Sequence, residues 1–209
     1  MTMQDTPEFT NDGFQPLVLG FDTSAGHCAA ALLRGEEVLA SRLEEMTRGQ
    51  AERLMLLLEE VLAEGGAAWQ DLDAIGVGVG PGNFTGIRIA VSAARGLALG
   101  LEVPAVGVDG FDARTAEGTL PAVPAPRNQV YAALPGEAPR LMPRQEAEDA
   151  ARGAGLVFVP EASPAGIAEA IARIAAVRFR TVTEPPAPLY LRAADAAPSC
   201  DVPPALIDD

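Results

Sequence analysis

The stretch from Ala74 to Leu97 constrains the fold of this chain most strongly. It begins as an apolar run, continues into a loop that opens with Gly80, Pro81 and Gly82, and ends in a segment rich in small residues. A buried strand that delivers a glycine-rich loop to the start of a helix has this order of residues. Because α/β proteins commonly bind ligands at such junctions, the stretch predicts an α/β fold with a candidate site here.

Length and composition narrow the class of protein. The 209 residues suit one compact domain or two small ones, and 48% apolar residues are enough to fill a core. The formal net charge of −14 opposes direct binding of nucleic acid, so a partner protein would have to hold it. The sequence lacks a signal-peptide pattern and an apolar run of about 18 residues, which predicts a soluble, cytoplasmic protein with no membrane partner.

Cysteine and histidine usage limits the chemistry. Two widely spaced cysteines, Cys28 and Cys200, predict neither a disulfide scaffold nor a zinc ribbon. His27 is the only histidine, which argues against a His-rich metal site and against metalloprotease chemistry. His27 and Cys28 are neighbours in a predicted strand and should point to opposite faces, so we expect structural residues rather than a catalytic pair.

Apolar periodicity predicts the elements that surround this stretch. Three strands, 17–21, 27–33 and 37–43, should precede it, and a strand at 103–108 should follow it. Between them, residues 50–64 form a predicted helix whose apolar face consists of Ala51, Leu54, Met55, Leu58, Val61 and Leu62. Leu57 should widen this face and Leu56 should project on the opposite side. The order of elements matches an actin-like, ribonuclease-H-like architecture.

The second half of the chain is interrupted by prolines between Pro121 and Pro143. We predict an edge strand at 130–134, a short helix at 146–152, a buried strand at 156–159 and an amphipathic helix at 164–177. The expected organisation is a flexible leader at 1–15, a first lobe at 16–113, a smaller second lobe at 114–195 and a mobile tail at 196–209.

Two groups of residues are candidates for a nucleotide-like or phosphate-like site: Asp22, Thr23 and Ser24 after the first strand, and Gly80, Gly82, Thr85 and Gly86 in the glycine loop. A carboxylate can orient a phosphate or a metal-bound water, and a glycine loop can present backbone N–H groups to an anion. The loop lacks the lysine of a Walker motif. Both groups are equally compatible with turns that only support the fold.

The helix after the glycine loop carries small side chains that allow another helix to approach closely. Packing within the chain accounts for some of them, whereas a subunit interface accounts for the breadth of the apolar surface. The predicted partner interface comprises Gln50, Arg53, Leu54, Leu56, Leu57, Val61, Ile89, Ala90, Ala93, Ala94 and Leu97. Without a partner, the same surface should form a homodimer.

Three segments, 19–24, 48–54 and 78–88, closely resemble the TsaB family, also called YeaZ, over about residues 17–113, and 188–196 resembles the family's closing motif. The resemblance implies a two-lobed actin-like ATPase fold and a non-catalytic dimerization subunit. Such a subunit pairs through its first-lobe helices with TsaD, a catalytic paralogue, which transfers threonylcarbamoyl to N6 of the anticodon-adjacent adenosine of tRNA. It also implies a TsaE-type ATPase partner, tRNA contact only through the complex, and ATP or ADP near the subunit interface.

The chain departs from its catalytic relatives in ways that bear on function. Gln50 heads the first helix, where the resemblance implies metal-binding histidines in the catalytic paralogue, so we expect no catalytic residues, no metal and no cofactor requirement here. Residues 125–131 lack the acid of the family pattern, and the second lobe is short. A free-standing ATPase or kinase-like phosphotransferase that uses Asp22 and the glycine loop is the alternative.

Overall fold

The computed structural model describes residues 13–161 and 166–191. The predicted tail at 196–209 and most of the predicted leader lie outside these residues. The described chain forms two β-sheets with helices packed on them, which confirms the α/β fold class.

The first sheet has five strands in the order β3-β2-β1-β4-β5. Their bounds are β1 Leu17–Asp22, β2 His27–Arg34, β3 Glu37–Glu45, β4 Ala74–Gly78 and β5 Ala105–Val108. The pairs β1–β2 and β2–β3 are antiparallel, whereas β1–β4 and β4–β5 are parallel. The carboxyl ends of β1 and β4 therefore meet at the same edge, where the sequence places its candidate site.

Helices cover both faces of this sheet. Helices α1 (Gln50–Glu64) and α2 (Phe84–Leu101) pack on one face. The helix Ile167–Arg178, α4 in chain order, packs on the other face against Val18 and Ala29. Gly20 permits this contact, because a Cβ there would lie 2.5 Å from the carbonyl oxygen of Ala168. All six residues of β1 are buried as a result.

This packing corrects the sequence-based assignment of the last helix. We expected a helix at 164–177 within the second lobe, but α4 completes the core of the first sheet. Its buried residues include Ile167, Ala170 and Ile171, as the periodicity predicted. Periodicity identifies which face of a helix is apolar, but it does not identify the sheet on which that face packs.

The second sheet has the order β8-β7-β6-β9. Its strands are β6 Thr119–Ala125, β7 Gln129–Ala132, β8 Arg140–Pro143 and β9 Val157–Val159, with helix α3 at Arg144–Gly153. The prediction of an edge strand near Val130 is wrong, because β7 lies between β6 and β8. The prediction of a buried strand at 156–159 is also wrong, because β9 is an edge strand and Val157 is 64% exposed.

Strand β6 was not predicted because it contains Pro121 and Pro124. Its first residues, 119–121, pair only with β9, and residues 122–125 pair only with β7. Each half of the strand thus has one unpaired side. A proline lacks an N–H donor, and a strand with an open side tolerates that loss.

Two helices of the first sheet differ in detail from the prediction. Helix α1 has the predicted bounds, but Ala51 and Met55 are exposed whereas Leu57 is fully buried. Helix α2 begins at Phe84, inside the predicted loop, because the Oδ1 of Asn83 accepts a hydrogen bond from the Gly86 N–H at 2.9 Å.

Helix α2 is the one helix among the described residues that is long and apolar enough to span a membrane by length and composition. Its buried residues, which include Ile87, Ala90 and Ala94, pack against the first sheet. Core helices of globular domains meet the same criteria of length and composition.

Candidate functional site

Asp22 ends β1 and is almost fully buried, with 2% of its surface exposed. Its Oδ1 accepts hydrogen bonds from the backbone N–H and the hydroxyl of Ser24, both at 2.9 Å. The Nε2 of His27 lies 2.7 Å from the same oxygen. Its Oδ2 packs against the Cα of Gly78, where a Cβ would overlap it. The carboxylate is therefore held in one orientation by groups of this chain.

The structure adds His27 to the site, which the sequence interpretation treated as structural only. The β1–β2 hairpin places His27 beside Asp22, five residues earlier in the chain. Cys28 lies in the core instead, and burial raises its pKa from 9.0 to about 11. The two neighbouring side chains therefore lie on opposite sides of the strand, as the alternation of a β-strand predicts.

The glycine loop and the turn after β1 are bonded to each other. The hydroxyl of Thr23 donates to the carbonyl of Gly86 at 2.7 Å, and the N–H of Asn83 donates to the carbonyl of Ser24 at 2.7 Å. A Cβ at Gly82 would overlap the Ser24 carbonyl, and a Cβ at Gly86 would overlap that of Thr23. Two loop N–H groups that an anion would need, those of Asn83 and Gly86, are already bonded within the chain.

The remaining loop residues lie around this junction. Gly80 has a φ of +94°, which glycine adopts without strain, and its carbonyl accepts from the Gly110 N–H at 2.8 Å. Thr85 is exposed in the first turn of α2. The structure therefore brings the residues of the predicted nucleotide-like site together, and hydrogen bonds link Thr23 to Gly86 and Ser24 to Asp22.

A small cleft of about 210 Å³ lies beside Asp22 and includes residues that sequence inspection did not find. Its lining adds Asp109, Arg114 and Glu161. The Arg114 guanidinium donates to the carbonyls of Gly110 at 2.8 Å and Pro160 at 3.0 Å. Burial lowers the pKa of Arg114, and the charges of Asp22 and Glu161 partly offset that effect. Asp22, the segment that holds Asp109 and Arg114, and Glu161 are far apart in sequence, so only the fold could reveal the cluster.

No group of three or more His, Cys, Asp or Glu side chains in residues 13–161 and 166–191 is arranged to hold a metal ion. The cleft already contains a cationic group, the Arg114 guanidinium, whose pKa responds to the charges of Asp22 and Glu161. The expectation that this chain needs no metal or cofactor stays a prediction.

A larger cleft of about 960 Å³ opens between the two sheets, and we call it the interlobe cleft. It is lined by residues 24–26, 47, 50, 81–84, 124–126, 131 and 189–191. None of these side chains is charged. The segment 184–191 reaches the cleft across the edge of the first sheet, where the Leu189 N–H donates to the Val79 carbonyl at 2.8 Å.

The predicted partner interface is corrected in part. Five of its residues are buried inside the chain and cannot contact a partner: Leu54, Leu57, Val61, Ala90 and Ala94. Ile89, Ala93 and Leu97 are partly buried against the same core. The Gln50 side chain donates to the Met46 carbonyl at 3.3 Å, and Arg53 pairs with Glu44 and Glu60.

Leu56 is the clearly exposed apolar member of the predicted set, with 54% of its surface accessible. Sequence reasoning missed Leu99, which is 83% exposed on α2, and placed Met55, which is 39% exposed, on the buried face. The apolar surface that α1 and α2 offer therefore lies on their outer sides.

Comparison with known proteins identifies the family. The family model described as "TsaD: tRNA N6-adenosine threonylcarbamoyltransferase" matches residues 37–141, half of the chain. The chain is 34% identical over 123 residues to the tRNA threonylcarbamoyladenosine biosynthesis protein TsaB of Haemophilus influenzae, covering 54% of this chain and 51% of that protein. It is 32% identical over 204 residues to an uncharacterized protein of Mycobacterium tuberculosis, covering 87% and 94%.

Two solved structures are similar to this chain. YeaZ from Pseudomonas aeruginosa superposes with a TM-score of 0.52 at 33% identity, covering 61% of this chain and 64% of that one. A Pseudomonas aeruginosa protein described as similar to peptidase YEAZ gives a TM-score of 0.65 at 23% identity, covering 85% and 100%, and supports the fold. The chain spans about half the length of the Haemophilus TsaB that it matches. On these matches and the two-lobed actin-like architecture, the chain belongs to the TsaB (YeaZ) family within the superfamily that the TsaD model describes.

Proposed function

We propose that this chain is a non-catalytic, cytoplasmic subunit of tRNA threonylcarbamoyladenosine biosynthesis that binds and activates a catalytic TsaD-type paralogue. The names of its relatives support the pathway. The observation that carries the proposal is the outer surface of α1 and α2, which presents exposed apolar side chains and two glycines with open space beside them.

Leu56 and Met55 on α1 and Leu99 on α2 are exposed apolar side chains. Gly96 and Gly100 of α2 are also exposed, and a Cβ at either position would meet no atom within 4 Å. Glycine inside a helix is destabilising, and no contact among the described residues requires it at these two positions. Close approach of a partner helix to α2 would explain both glycines.

The bonded glycine loop supports the non-catalytic role. The Asn83 and Gly86 N–H groups and the Thr23 hydroxyl all form hydrogen bonds within the chain. In this arrangement the loop starts α2 and fixes its direction from the sheet. The residues inherited from a nucleotide-binding fold thus position the proposed interface helix.

The test is reconstitution with the TsaD-type paralogue and a TsaE-type ATPase, with sedimentation to detect the complex and quantification of threonylcarbamoyladenosine in tRNA. Leu56→Glu should abolish the complex and the modification, because it places a charge in the apolar contact. Leu43→Glu is the matched control: Leu43 is 61% exposed on β3 and pairs with Ala29, which faces α4 on the opposite side of the sheet. Equal activity of the two variants would refute the proposed interface.

The same proposal makes predictions about homodimer formation and about nucleotide and tRNA binding. Alone, the chain should form a homodimer through the outer surface of α1 and α2, and Leu56→Glu should make it monomeric in sedimentation. Nucleotide near the subunit interface and tRNA would be bound by the assembled complex.

If the isolated chain binds and turns over magnesium-ATP, and Asp22→Asn abolishes both, the phosphotransferase alternative replaces the proposal.

A further inference from the structure

The interlobe cleft has an apolar, uncharged lining that the described residues leave open. Its walls include the rings of Phe84, Tyr131 and Tyr190, and the rings of Phe84 and Tyr190 stack at 5.0 Å. Phe84 and Tyr190 remain 39% and 44% exposed. Its volume of about 960 Å³ is at the upper end of the range of ligand pockets. Aromatic walls of this kind accept extended, proline-rich peptides.

Three arginines adjoin the cleft. Arg48 follows the lining residue Thr47, Arg127 follows the lining residue Pro126, and Arg88 contacts Phe84 and Tyr190. None of the three forms an ion pair with a carboxylate of the described residues. In a chain with a net charge of −14, arginines that lack a carboxylate partner among the described residues attract an anionic group.

Arg88 is the most constrained of these cations. Its guanidinium carbon lies 3.8 Å from the Phe84 ring centroid, and its Nε donates to the Tyr190 hydroxyl at 2.9 Å. These two contacts fix the plane of the guanidinium. Its two terminal nitrogens have no hydrogen-bond partner among the described residues, so they form a rigid fork suited to a carboxylate.

We propose that the chain's own segment 201–209 binds in the interlobe cleft, with its aspartates on the arginines at the rim. The segment contains six uncharged residues, Val202–Ile207, between Asp201 and the pair Asp208 and Asp209. Pro203 and Pro204 favour the polyproline conformation that aromatic grooves recognise. An uncharged run flanked by carboxylates complements an uncharged cleft bordered by arginines.

The connection along the chain favours this occupant over a free ligand or a second copy. Leu191, which lines the cleft, is followed by ten residues, 192–201, before the uncharged run. Ten residues can span up to about 35 Å, so the run can reach any wall of the cleft. Covalent attachment supplies an effective concentration on the order of millimolar, which a weak peptide contact needs.

A nitroxide at Cys200 tests the proposal in the full chain. Cys28 is fully buried with a raised pKa, so a thiol-directed label is expected at Cys200. We expect the amide NMR signals of Asn83, Ala125 and Tyr131 to lose most of their intensity through paramagnetic broadening. Leu206→Asp combined with Ile207→Asp should restore these signals, because both carboxylates would have to enter the apolar cleft.

The controls separate docking from mere tethering. Arg88→Gln should weaken the broadening, whereas Arg95→Gln should leave it unchanged. Arg95 is exposed two turns further along α2 and has no ion-pair partner among the described residues. Equal broadening in the wild type and the double aspartate variant would overturn the proposal, because the tether alone would then explain it. Broadening that appears only when unlabelled and spin-labelled chains are mixed would indicate a second copy. ADP that shifts the cleft signals while the broadening persists would assign the cleft to nucleotide.

Discussion

Replacing Gly96 by alanine tests the proposed helix contact because the substitution should act in opposite directions on the isolated chain and on the complex. Gly96 lies inside α2, is exposed, has no positive φ, and leaves a Cβ free of any atom within 4 Å. Alanine at an exposed helix position is more stable than glycine by about 0.5–1 kcal/mol. For a chain of this size, that gain raises Tm by about 2–4 °C per kcal/mol.

In the complex, the new methyl group would enter the space that we assign to the partner helix. Overpacking of this kind costs about 1–3 kcal/mol. The dissociation constant measured by calorimetry with the TsaD-type paralogue should therefore rise about 5- to 150-fold. Gly153→Ala is the control, because Gly153 ends α3 on the second sheet and its Cβ would also meet no atom within 4 Å.

The control should leave partner affinity unchanged and should not destabilise the chain. An unchanged affinity for Gly96→Ala, with the expected gain in Tm, would refute the close approach of a partner helix. A lower Tm of the isolated Gly96→Ala variant would instead contradict the conclusion that the space beside Gly96 is empty.

Three further predictions concern the first lobe. Gly78→Ala should destabilise the chain by about 1–3 kcal/mol in urea denaturation, because its Cβ would overlap the Asp22 carboxylate. The raised pKa of Cys28 favours the neutral thiol in the folded state. Its contribution to the free energy of unfolding should therefore be constant below pH 9.0 and decline as the pH rises toward about 11. Denaturation curves of Cys28→Ala at several pH values should lack this decline. Arg53 lowers the pKa of Glu44 through a hydrogen bond, so Arg53→Ala should reduce stability at neutral pH. That difference should vanish in acid denaturation curves once the carboxylates are protonated; a difference that persists in acid would contradict the ion-pair account.

The elements with strong local signals were predictable. Helix α1 has the predicted bounds because its apolar period runs from Gln50 to Glu64 and glycines flank both ends. The sequence could not set which apolar residues face the sheet: Leu57 is buried whereas Met55 is exposed. The rotation of the helix about its axis follows from side-chain packing against the first sheet rather than from periodicity.

The candidate site, too, could be predicted from the sequence only in part. Asp22 and the glycine loop could be paired from sequence, because the ends of parallel strands meet at one sheet edge. The hydrogen bonds that join Thr23 to Gly86 and Ser24 to Asn83 could not, since they depend on the distance between the two turns. The same is true of Arg114, which reaches the small cleft from a distant part of the chain.

The amino-acid sequence by itself determined the α/β class, the order of the first-lobe elements and the family motifs, because these depend on residue types at short spacings. Tertiary structure alone decided that α4 closes the first sheet, that the glycine loop is bonded internally, and that Leu56 rather than Leu57 is available to a partner. Each of these depends on which surfaces exclude water together, and that is a property of the packed chain rather than of any single segment.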